Sequence, residues 1–228
     1  MKPFVFAACL ATLMAAPLAA AQESSRVYTY SLSFDADGRI TALAPATALD
    51  AATDQWLRRQ VDEMRLVSDT RHGAVTSHLR LLVETDANGT PVRVLSANAG
   101  AMPTRLELPT YPADALRNGQ EGVVVLRLGL DAEGRVADAR VERNQGDVSR
   151  SMASAALAAA RDWRFQPEST GRQAQTSEML VPVCFYSQGS AAEACRWSVP
   201  GHASMDGQVL LSLDPLVRVE SVALASQP

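Results

Sequence analysis

Lysine is nearly missing from this chain: of its 21 lysines and arginines, Lys2 is the single lysine. Beyond position 2 there is no amine for Schiff-base chemistry and no phosphate loop of the GK[ST] kind. Histidine is scarce as well. His72, His78 and His202 are too few and too scattered for a zinc signature such as H-x-x-x-H. There is no G-x-S-x-G nucleophile elbow and no glycine-rich phosphate cradle, and paired carboxylates occur only in turns. Asp35-Ala-Asp37-Gly38 resembles the start of a calcium loop, but the glutamate and remaining spacing are missing. Nothing here asks for an enzyme, and no cofactor or metal is expected. The formal net charge of −4 comes without basic clusters, which argues against nucleic acid, whose affinity rests on phosphate neutralisation. After residue 21 no apolar run reaches the length of a membrane span.

The N-terminus does carry a signal. Lys2 is a short positive region, Pro3 to Leu18 is apolar, and Ala19-Ala20-Ala21 before Gln22 is a small-residue cleavage site. Residues 1–21 therefore read as a secretory signal peptide, which places the mature chain in the periplasm, or at the inner membrane if uncleaved. Too little apolar sequence precedes Cys9 for lipidation. Two cysteines remain, Cys184 and Cys195. An even number in an exported chain predicts a disulfide, and the absence of C-x-x-C spacing makes it structural, not redox-active.

Residues 108–185 have a legible local plan. Pro112 suits the first turn of a short helix over Ala113 to Asn118, which Gly119 stops. Val124, Leu126, Leu128 and Leu130 alternate along a strand, so one of its faces is expected to be buried. Asp131-Ala-Glu-Gly134 closes a tight hairpin, and Val136 to Val141 returns as the second strand. A polar loop at Asn144–Asp147 follows, with Asp147 or Ser149 capping the next helix. Met152, Ala155, Ala156, Ala159 and Trp163 form one narrow helical stripe. Trp163 and Phe165 are its bulky core anchors, and Pro167 is its stop. Met179 to Phe185 is the third strand. The fold class is α+β: a ββαβ unit with three antiparallel strands and a helix on one face.

Four motifs in this order, Tyr111-Pro112, Glu121-Gly122, Asp131-Ala-Glu-Gly134 and Trp163-Arg-Phe-Gln-Pro167, resemble the C-terminal domain family of TonB. That resemblance implies a periplasmic binding module and not a catalyst. It also implies that the strand after the helix accepts a short transporter segment as an additional strand, by the edge pairing open to any unpaired strand. Carried onto this chain, the partner-binding residues are Tyr111, Pro112, Ser177, Glu178, Met179, Leu180, Val181 and Val183. The partner is an envelope protein or an outer-membrane transporter peptide. Pro182 departs from an ideal template, because its missing N–H either points outward or blunts the edge. The chain also lacks a long Pro-rich spacer and, once cleaved, an anchor, which puts energy transduction itself in doubt.

The N-terminal half echoes the same plan. Ser31–Ile40 parallels Arg127–Val136, Asp62–Leu66 parallels Arg161–Phe165, and Ser77–Val83 parallels Ser177–Val183. A drifting offset of this kind is what a worn duplication leaves. Leu49, Ala52, Trp56, Arg59 and Glu63 run down its predicted helix. Asn88-Gly89 adds a hairpin that pairs Thr90–Ser96 with Leu79–Glu84. The expected organisation is a signal peptide at 1–21, a degenerate copy at 26–103, the TonB-like domain at 104–187, and a loop with a β-hairpin extension at 188–228. In that hairpin, Val209–Leu213 and Leu216–Leu224 join at Asp214-Pro215. Two functional readings follow. One is a monomeric or weakly dimeric module that binds by strand addition, without stable membrane insertion. The other is a structural pseudo-dimer of two copies, its edges capped by the extension and without a transport role.

Overall fold

The computed structural model describes residues 24–71, 73–187 and 195–221. The expectations for the signal peptide, Cys9 and His72 lie outside the described residues.

The first half opens with an antiparallel hairpin of β1 (Ser24–Phe34) and β2 (Ile40–Pro45), then α1 (Ala51–Asp62), β3 (Arg65–Ser68), β4 (Val75–Thr85) and β5 (Pro91–Gly100). Strands β2, β1, β4 and β5 are successive neighbours, all antiparallel. The hairpin closes because the Asp35 carboxylate accepts the N–H groups of Asp37 (3.0 Å) and Arg39 (2.9 Å). Asp50 caps α1 by accepting the Thr53 N–H at 2.9 Å. The buried residues of α1 are Leu57 and Val61, with Leu49 and Trp56 half-buried and Ala52, Arg59 and Glu63 exposed. The predicted stripe was therefore one position off, because the core contacts lie with Leu57. The Asn88-Gly89 hairpin forms as expected, and β5 runs past Ser96 to Gly100.

A connector follows, with β6 (Met102–Arg105) and the short α2 (Ala113–Arg117), whose N-cap is Pro112. The second half is β7 (Gly122–Leu130), β8 (Val136–Gly146), α3 (Arg150–Ala160), β9 (Arg164–Gln166), β10 (Ser169–Thr170), β11 (Gln173–Ala174) and β12 (Ser177–Phe185). Its Asp131 turn repeats the Asp35 turn atom for atom: Asp131 accepts the N–H groups of Glu133 (3.1 Å) and Arg135 (2.8 Å). Strand β8 continues through the expected polar loop to Gly146, since Val123–Gln145 and Gly122–Gly146 keep pairing. Ser149 caps α3, accepting the Met152 N–H.

Helix α3 ends at Ala160, well before Pro167. Trp163 and Phe165 leave it, and Phe165 sits in β9, which pairs with β6. The cause is long-range: the Phe165 N–H donates to the Gly134 carbonyl at 2.8 Å, a bond the helical stripe could not anticipate. Both aromatic side chains are nonetheless buried in the core with Met152, Ala156, Leu126 and Val181.

The chain closes with β13 (Arg196–Trp197), β14 (Met205–Asp206), β15 (Leu211–Ser212) and β16 (Val217–Ser221). The expected hairpin is not made among the described residues. Strand β15 pairs with β12 of the second half, and β16 pairs with β3 of the first. A Pro215 turn that redirects the chain, not one that folds it back, separates these two destinations. The extension also covers a second face of the sheet. Val123, Val125 and Leu180 pack under Trp197 and Val199, so β7 is buried on both faces and not on one. The unbroken Val123-Val124-Val125 run was the signal. The fold class is α+β with antiparallel sheets throughout, and no helix among the described residues is long and apolar enough to cross a membrane.

Candidate functional site

The candidate site is the outer edge of β12. Its inner edge pairs with β7 over nine residues, from Ser177–Leu130 to Phe185–Gly122, without a bulge. On the outer edge, Glu178 donates its N–H to Asp214 Oδ1 at 2.9 Å, and its carbonyl accepts the Leu213 N–H at 2.9 Å. Met179 and Leu180 then pair with Ser212 and Leu211. Backbone groups alternate sides along a strand, so Leu180, Pro182 and Cys184 face the same edge as Glu178. Pro182 accordingly turns its missing N–H outward. Beyond it, the Cys184–Cys195 disulfide, with Cα atoms 5.7 Å apart, crosses at the strand's end.

Side chains of the strand are mostly spoken for. Met179, Val181, Val183 and Phe185 point into the core beneath α3. Leu180 points into the opposite cluster with Trp197, and Ser177 is buried. Glu178 is half-buried and accepts from Arg127 Nη1 at 3.2 Å, while Arg127 also forks onto Glu142 at 2.8 and 3.0 Å. That fork, chiefly the Glu142 hydrogen bond, raises the Arg127 pKa, and Arg127 in turn lowers that of Glu142. What β12 offers a partner is therefore backbone, and only where β15 leaves it.

Tyr111 and Pro112 lie at the start of α2. The Tyr111 ring meets Phe185 edge-on at 5.4 Å, and its hydroxyl donates to the Gln120 carbonyl. Burial, then the neighbouring Glu121 carboxylate, raises its pKa. The structure thus brings Tyr111 against the far end of β12, opposite the end that β15 covers.

Sequence reasoning missed the residues that hold the extension down. Glu168 is buried and takes the Ser77 hydroxyl at 2.5 Å and the Leu216 N–H at 3.0 Å. Burial pushes its pKa up, against the hydrogen bonds from Ser77 and the Leu216 backbone. Asp214 had been read only as a turn residue. Neither carries a local motif, because each acts on a segment more than thirty positions away.

Residues 107–186 match the family model described as Gram-negative bacterial TonB protein C-terminal. Over that segment, roughly a third of the chain, the resemblance to the TonB C-terminal domain family is shown. Protein tonB2 of Pseudomonas aeruginosa is 36% identical over 90 residues, covering 40% of this chain and 32% of that protein. Protein TonB of Xanthomonas campestris pv. campestris is 36% identical over 77 residues, 34% of each. The chain thus spans about a third of the length of the curated relatives it matches. A solution NMR structure of the Pseudomonas aeruginosa TonB CTD shares 26% identity, covers 39% of this chain and 87% of its own, and has a TM-score of 0.33.

Proposed function

We propose that this chain is an exported, periplasmic protein-binding module in TonB-linked envelope transport, whose acceptor strand is held closed by its own C-terminal extension. The family match over 107–186 supports the class of module. The observation that carries the mechanism is that both backbone groups of Glu178 are taken by Leu213 and Asp214. An envelope partner presenting an extended segment, such as an outer-membrane transporter peptide, binds by replacing β15 on β12. The contact replaced is short, two paired residues and the Asp214 cap, so exchange costs few hydrogen bonds, each worth about 1 kcal/mol net. The backbone edge of Ser177–Val183, with Tyr111 and Pro112 at its far end, forms the partner-facing strip. The module is a monomer or weak dimer without stable membrane insertion.

The second reading keeps the edge permanently shut and makes the chain a structural pseudo-dimer. The shared neighbour order favours it: β2-β1-β4-β5 in one half and β8-β7-β12-β15 in the other. In register, Phe34 faces Val75 where Leu130 faces Ser177. That equivalence lies two residues from the Ser77–Ser177 echo, which preserves the side-chain parity of a strand. On this reading the halves are copies of one ββαβ unit.

A periplasmic crosslinking pull-down separates the two. The variant Leu213→Pro/Asp214→Ala removes both contacts to Glu178, and adding Leu180→Pro spoils the acceptor strand itself. Strand exchange predicts that the opened variant recovers an envelope protein more strongly than wild type and that Leu180→Pro abolishes the gain. Equal recovery by all three, or none, supports the structural reading.

A further inference from the structure

The part of β12 that β15 leaves uncovered borders a cavity of about 220 Å³. Arg80, Leu108, Trp163, Val181, Val183 and Leu210 are among the residues that line it. It sits where both halves, the connector and the extension meet. Leu108 at its rim is 82% exposed, an apolar side chain turned to solvent.

Arg80 is out of keeping with these walls. It lies in mid β4, flanked by the fully buried Leu79 and Leu81 and paired across the sheet with Thr29 and Asn98. Its Nη2 donates to the Gln208 carbonyl at 3.2 Å. Its Nη1 is shielded from solvent and has no hydrogen-bond partner, and no carboxylate pairs with it among the described residues. Arg58 and Arg127, also half-buried, are each matched to a carboxylate at 2.8 Å. Burial alone pushes the Arg80 pKa down to about 10. A half-buried cation without a counter-ion, one of its nitrogens shielded from water, is costly to hold, and the planar guanidinium is the group best matched to a carboxylate.

We propose, building on the binding-module reading, that this cavity is a subsite for an extended peptide in which a carboxylate stands beside an apolar side chain. On binding, the Arg80 guanidinium turns into the cavity so that Nη1, shielded in the free chain, meets the carboxylate, and the apolar side chain enters between Trp163, Leu108 and Val181. The size of the cavity selects a peptide over a free small molecule. It is below the roughly 300 Å³ at which small-molecule sites begin, and suits one anchoring side chain of a larger partner. Its position selects an extended segment, since it adjoins the Pro182 carbonyl edge on the one stretch of β12 not paired to β15.

The test is an array of hexapeptides, each pairing one Asp, one Glu or a free C-terminal carboxylate with Leu, Ile, Val or Phe. Each is matched by its Asn, Gln or C-terminal amide counterpart and probed with the full chain and with Arg80→Met. Octanoate serves as a free-carboxylate competitor. Acidic peptides are expected to bind about tenfold or more tightly than their amide counterparts, the worth of one charge-assisted hydrogen bond. Arg80→Met is expected to lose that preference and to melt no lower than wild type, because it removes a half-buried charge that no carboxylate matches. Four results overturn the inference. They are no binding by any peptide, equal binding of acid and amide, a preference retained in Arg80→Met, or octanoate binding as tightly as the best peptide. An Arg80→Met protein that melts lower while wild type shows no acid preference would make Arg80 a purely structural tie to Gln208. Pull-down by the opened Leu213→Pro/Asp214→Ala variant does not depend on Arg80, so loss of the subsite leaves the strand-exchange reading to its own test.

Discussion

Glu168 is a carboxylate with 1% of its surface exposed, placed where β4, β10 and the extension converge. Burial raises its pKa above the ordinary 4.5. The sign follows from linkage. A carboxyl whose folded pKa is raised contributes stability that is complete below its unfolded value and is lost as pH rises through the folded value. The protein should therefore lose stability from pH 4.5 upward through that raised value, and Glu168→Gln should flatten this slope. His78 works in the other direction, since burial lowers its pKa and its contribution is lost as pH falls below 6.5. Urea midpoints of wild type and Glu168→Gln, compared from pH 4.5 to neutrality, isolate the Glu168 part. Parallel curves would mean that Glu168 does not titrate in this window.

The two hairpin turns share a backbone plan but differ in what they touch. Gly38 and Gly134 both sit at positive φ, +79° and +75°. A Cβ at Gly38 would meet open space, whereas one at Gly134 would lie 1.8 Å from the Phe165 carbonyl oxygen. Gly38→Ala is expected to cost only the left-handed backbone penalty, about 1–2 kcal/mol. Gly134→Ala should cost clearly more, because it also displaces β9 from the hairpin and breaks the Phe165–Gly134 hydrogen bond. Equal denaturation midpoints for the two variants would contradict that docking. Elements fixed by local chemistry were legible: the Asp35 and Asp131 turns, the Ser149 cap, the Asn88-Gly89 hairpin and the alternation in β7. Elements fixed by distant partners were not. The early end of α3, the extended Phe165 and the length of β8 each depend on pairing that no local pattern encodes.

At the scale of the molecule, two halves with the same strand neighbours are joined by two crossings, β10 onto β4 and β16 onto β3, while β15 on β12 ties the same extension to the second half. The ββαβ unit and the disulfide could be read from alternation, stripe and cysteine count. The destination of the extension could not, because Val209–Leu213 and Leu216–Leu224 look like hairpin partners until the two surfaces that claim them are known. The candidate strip was legible as a strand, and its backbone edge as the place of interest. The closure of that edge, and the unpaired Arg80 beside it, needed the tertiary fold. Closure of β12 by β15 is read from amide hydrogen exchange at Glu178, Leu180 and Leu213. Slow exchange at all three, lost in Leu213→Pro/Asp214→Ala at the two that remain, is the predicted result. Exchange of Glu178 and Leu180 at the rate of a free strand edge in the wild-type protein would contradict it.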